Sequence, residues 1–121
     1  MMNQAYGRSV YQKTQVTAAP QKKLIVMLYD GAIKNLKLSI MAMDEKEIEK
    51  TNTLLIKAQN IISELMITLD FEKGGEIAKS LYSLYEYMYN SLIRANIDKD
   101  RVKVEEVIKY LEELRDTWNQ I

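Results

Sequence analysis

Apolar residues recur along this chain at steps of three and four, the spacing that stacks side chains on one face of an α-helix. Ile25, Leu28, Tyr29, Ala32, Leu36, Ile40 and Met43 form the first such run. They predict a helix over about 20–43, with Pro20 in its first turn, where a missing N–H is no loss. Asp44 with Glu47 three residues on has the form of an acidic capping box, so a second helix is expected to start there. Its stripe is Ile48, Leu55, Ile62, Met66 and Leu69, and a parallel stripe of Leu54, Ala58, Ile61 and Leu65 makes the apolar face broad.

Gly74-Gly75 interrupts the pattern, and a third period opens at Ile77 with Leu81, Leu84, Met88, Leu92 and Ala95. Asn96 to Asp100 is the next break, where Asp98 or Asp100 can cap a last helix carrying Val104, Val107, Ile108, Leu111, Leu114 and Trp118. The joints are short, so consecutive helices should run antiparallel. The expected fold is all-α: an up-down-up-down four-helix bundle over 20–121, with a short mobile N-terminal segment over 1–19 that is polar apart from groups such as Tyr6, Val10, Tyr11 and Val16.

Composition narrows what such a bundle can do. A chain of 121 residues suits one domain with one core. Gly 4 and Pro 1 leave few turn formers for a compact β-fold, which supports long helices. With no Cys and no His, disulfides, thiol nucleophiles, imidazole bases and zinc sites built on those ligands are excluded. A di-metal carboxylate centre of the bundle type needs Glu-x-x-His pairs and fails for the same reason. No nucleophile–base pair or phosphate loop is present, so neither an enzyme nor a cofactor is expected.

Charge excludes a further class. Seventeen basic residues against seventeen acidic ones, scattered among each other, give no cationic block for a phosphate backbone, and no nucleic acid is expected as a partner. The mixed charges at 45–50 and 98–106 read as solvated helix faces. The start MMNQAYGRSVYQKTQ has no apolar core of a signal peptide, and Leu24 to Met43 is interrupted by Asp30, Lys34 and Lys37. Membrane insertion is therefore not expected.

Two residue types fit packing and partner binding alike. Tyr82, Tyr85, Tyr87 and Tyr89 crowd one helix and cannot share a face. Tyr85 is expected to face the core beside Leu81 and Met88, while Tyr82 and Tyr89 share a neighbouring stripe. Tyrosine fills a core boundary well and also anchors partner helices. The methionines fill gaps in a core or soften a binding surface. The first two helices present more apolar face than one neighbour would cover, so a ligand, a second copy or the chain's own tail is expected to cover the excess.

The ordered set Pro20, Leu24 through Ala32, Glu72 through Ala78, Leu81, Leu84 through Met88, Ala95-Asn96, Glu105 through Val107 and Leu111 through Trp118 resembles the flagellin-specific export chaperones of the FliS type. The resemblance spans nearly the whole chain. It implies a cytoplasmic helical bundle whose apolar grooves receive the C-terminal segment of flagellin, which is disordered when free and helical when bound. It also implies docking at the cytosolic domain of the flagellar export gate. On that reading the groove is expected at Leu54, Leu55, Ala58, Ile61 and Leu65 with Tyr82, Tyr85 and Tyr89. Tyr6, Val10 and Tyr11 are expected to cap it when the client is absent, in a monomer or weak homodimer. The competing reading is a self-associating structural bundle whose surplus apolar face is a dimer seam.

Overall fold

The computed structural model describes residues 18–121, which form α1 (Ala18–Asp44), α2 (Ile48–Ile67), α3 (Phe71–Asp98) and α4 (Arg101–Asn119). The calls made on residues 1–17 lie outside the described residues. Each helix packs on its two chain neighbours, and α4 closes the ring against α1. Asp30 meets Arg115 and Asp44 meets Arg101, so α1 and α4 run antiparallel. Lys99 at the end of α3 reaches Asn52 at the start of α2, so that pair does too. Among the described residues there is no strand, and no helix is long and apolar enough to cross a membrane.

The core is the set of inward stripes that the periodicity marks: Tyr29, Ala32 and Leu36 from α1, Leu55, Ala58 and Ile62 from α2, Met88, Leu92 and Ala95 from α3, and Val104, Val107 and Leu111 from α4. Two phenols cross its diagonal, with the Tyr29 and Tyr85 hydroxyls 2.5 Å apart and both rings buried. Burial pushes both phenols above their ordinary value, and for Tyr29 the hydrogen bonds from Tyr85 and Trp118 offset part of that rise.

Three expectations are corrected at the joints. Asp44 is the last residue of α1, not an N-cap; its carboxylate is spent on Arg101 at 2.6 Å. Glu47 occupies the N-cap of α2 but its side chain makes no capping bond. The turn is instead built by Lys46 in the left-handed region (φ 59) and the Glu47 N–H donating back to the Ala42 carbonyl at 2.9 Å, a Schellman closure that satisfies α1 without any capping box.

The Gly74-Gly75 pair does not separate two helices either. α3 starts at Phe71, capped by the Asp70 carboxylate accepting from the Glu72 and Lys73 N–H groups at 3.0 and 3.1 Å, and kinks at Gly75 (φ 51, ψ −125). Beyond the kink Ala78 is buried, whereas Ile77 is 73% exposed and belongs to no core stripe. Ile48, read as the head of the second stripe, is likewise exposed. Of the two candidate caps before the last helix, Asp100 serves, accepting from the Val102 and Lys103 N–H groups.

Candidate protein-binding groove

The residues expected to line a groove divide sharply. Leu54, Leu55, Ala58, Leu65 and Tyr85 are buried and form core, so in this conformation none of them offers a surface to a partner. Ile61 is half-buried over Gly31, where an added Cβ would sit 3.4 Å from the Ile61 Cδ1. Tyr82 is exposed and Tyr89 half-buried on the outer side of α3. The capping residues Tyr6, Val10 and Tyr11 lie outside the described residues. The error on α2 has a simple cause: a broad apolar face has two edges, and periodicity does not say which edge a neighbouring helix covers.

An open apolar strip does exist, along the outside of the α2–α3 seam. Tyr82, Tyr89, Ile93 and Ile97 follow one another at helical spacing on α3, and Ile56 and Ile67 lie eleven positions apart on α2, which is close to three full turns. Ile56, Ile67, Ile93 and Ile97 are all exposed, Ile97 by 76%. Phe71 and Tyr82 meet edge-to-face at 5.9 Å and mark one end. The other end is a shallow depression of about 460 Å³ framed by Asn52, Ile56, Ile93, Asn96, Ile97 and Lys99.

Lys99 fixes that end. It takes the left-handed conformation (φ 52), and its ammonium donates to the Asn52 Oδ1 at 2.7 Å, the Asn96 carbonyl at 2.6 Å and the Asn96 Oδ1 at 2.8 Å. Those three bonds use every proton the group has and hold α2 to α3 without covering the isoleucines. The sequence did carry a signal for this strip: Ile56, Ile67, Ile93 and Ile97 are the apolar residues of α2 and α3 left over once the core stripes are assigned.

The other seams are closed by polar contacts. Along α1–α4 run Asp30–Arg115 at 3.1 Å, Lys37–Glu112 at 3.1 Å and Asp44–Arg101 at 2.6 Å. On α3–α4 the Tyr87 and Tyr110 rings meet edge-on at 6.3 Å, and the Tyr87 hydroxyl donates to the Glu106 carboxylate at 2.9 Å, which raises the Tyr87 phenol above its ordinary value. Among the described residues no group of His, Cys, Asp and Glu is placed to hold a metal ion. What the arrangement offers is apolar contact area beside a few amide groups, which suits binding a polypeptide rather than bond-making chemistry.

The family model described as flagellar protein FliS matches residues 2–121. The chain belongs to the FliS family. It is 39% identical over 112 residues to the flagellar secretion chaperone FliS of Bacillus subtilis, a match covering 93% of this chain and 83% of that protein. It is 37% identical over 118 residues to the chaperone of the same name from Vibrio cholerae, covering 98% of this chain and 86% of the relative. The Salmonella typhimurium chaperone is also 37% identical, with 97% and 87% covered. This FliS-family protein is thus a flagellar export chaperone and not an enzyme, and the four-helix architecture agrees with what the resemblance implied.

Proposed function

We propose that this chaperone binds the C-terminal segment of flagellin along the α2–α3 groove, keeps it from polymerising in the cytosol, and presents it to the cytosolic domain of the export gate. The observation that carries the reading is the contrast between seams: α1–α4 is laced with ion pairs, while α2–α3 leaves Ile56, Ile67, Ile93 and Ile97 open to solvent. An amphipathic helix laid in such a groove covers it through anchors at three- and four-residue spacing. A client that folds as it binds loses ~2–5 kcal/mol to ordering, which keeps the complex releasable at the gate. Tyr6, Val10 and Tyr11 belong to the same reading as a cap: a tethered apolar segment competes for the groove at high effective concentration.

Calorimetry with a peptide from the flagellin C-terminus tests the assignment. Ile56→Asp and Ile93→Asp are expected to weaken binding by about tenfold or more, because each places a charge against an apolar client side chain, with melting curves unchanged. Arg101→Ala, on the ion-paired seam, should bind as the parent does. Absence of binding to the parent protein, or parent-like binding by both groove variants, would overturn the reading.

A further inference from the structure

At one end of the bundle, between the start of α1, the α2–α3 corner and the end of α4, lies a second concavity of about 340 Å³. Ile25, Leu69, Leu81, Tyr85 and Trp118 line it, with Lys22 and Lys73 among the polar groups at its edge. Its volume falls within the ~300–1,000 Å³ typical of pockets that enclose a ligand. The groove, by comparison, is a strip along a seam. Lys22 is engaged, donating to the Asn119 carbonyl at 3.2 Å, and Asp70 is engaged in capping α3. The pocket is therefore an apolar hollow whose neighbouring polar groups are largely occupied by the fold itself.

The corner that walls this pocket also ends the groove. Phe71, on one side of the first turn of α3, packs on Tyr82 at the groove's end, while Lys73, Gly74 and Ile77 line the pocket. The shape of the corner depends on its glycines. A Cβ on Gly74 would fall 2.8 Å from the Ala78 Cβ, and Gly75 holds a positive φ at the kink. Ile77, exposed at the lip, has no role in the core. From Phe71 to Ile77 the helix rises only about 9 Å, a distance an extended chain spans in roughly three residues.

We infer that this end pocket is a second anchor site for the same client chain, taking an apolar side chain from the residues that run past the Phe71–Tyr82 end of the groove. The inference rests on the proposed binding of flagellin at α2–α3 and extends its path over the corner. Continuity decides the occupant: a chain leaving the groove at Phe71 meets Ile77 and the pocket before it meets any other apolar concavity on this end.

Trp118 is the only tryptophan of the chain and lines the pocket, so its emission reports occupancy directly. The full chain is titrated with a synthetic peptide covering the flagellin C-terminal segment, following fluorescence and heat together. Trp118 emission should shift to shorter wavelength and saturate at the calorimetric stoichiometry. Ile77→Asp should weaken binding about fivefold or more and abolish the shift, and Ile77→Ser should do the same more mildly, both with parent-like circular dichroism. Ile93→Asp should weaken binding yet retain the shift at saturating peptide. If the peptide binds and Ile93→Asp weakens it, but Trp118 does not respond or both Ile77 variants bind like the parent, the pocket plays no part while the groove reading stands. If the parent binds no peptide at all, both fall together.

Discussion

A buried phenol is tolerated only when its hydroxyl finds a partner, and Tyr29 and Tyr85 solve this by serving each other across the bundle's diagonal. Removing one of them leaves the other's hydroxyl without that partner in the core, at a cost of about 1–3 kcal/mol. Tyr29→Phe and Tyr85→Phe should each destabilise by that order in urea titrations, and the double variant by clearly less than their sum. Both phenols are held above their ordinary value near 10.0 by burial, so their contribution to stability is complete below that pH. Above it the unfolded chain releases protons that the folded chain keeps, and stability should fall with rising pH, by at most ~1.4 kcal/mol per pH unit for each phenol. The double Phe variant should lose that part of the alkaline slope.

At the scale of elements, the helix ends are fixed by unequal devices. Asp70 and Asp100 each accept two backbone N–H bonds, whereas Glu47 accepts none with its side chain. Asp70→Ala and Asp100→Ala should each cost about 1 kcal/mol, and Glu47→Ala close to nothing. Gly75 tells more about α3 than its caps do, because φ 51 with ψ −125 lies in a region that residues with a Cβ avoid. Gly75→Ala should cost ~1–3 kcal/mol as strain, read as a lowered denaturation midpoint. The kink also explains why the period of α3 starts at Ala78 and not at Ile77: the first turn is set off from the rest of the helix, so a stripe extrapolated backwards through it points the wrong way.

For the whole molecule, the asymmetry between seams governs association. Exposed ion pairs such as Lys37–Glu112 add at most ~1 kcal/mol each, so the α1–α4 seam orients the helices more than it stabilises them. The α2–α3 strip is the side that a second copy or a client would cover. Light scattering on the free chain is expected to show a monomer with weak, concentration-dependent dimerisation, suppressed both by Ile93→Asp and by saturating flagellin peptide. A tight dimer that the peptide leaves intact would favour the structural-bundle reading over the chaperone groove.

The sequence by itself determined the fold class, the four helices and most of the core. The inward stripes repeat over twenty or more residues, and no other pairing buries Leu36, Leu55, Leu92 and Leu111 together. Lack of Cys and His removed most catalytic and metal chemistry before any coordinates. The tertiary structure decided which edge of each broad face stays open. Leu54 and Ile56 are both aliphatic and two positions apart, and only the position of α1 against α2 makes one core and the other groove. It also decided the corners, because the Asp44–Arg101 pair and the Gly75 kink depend on groups brought together from distant parts of the chain or on a backbone angle, and side-chain periodicity encodes neither.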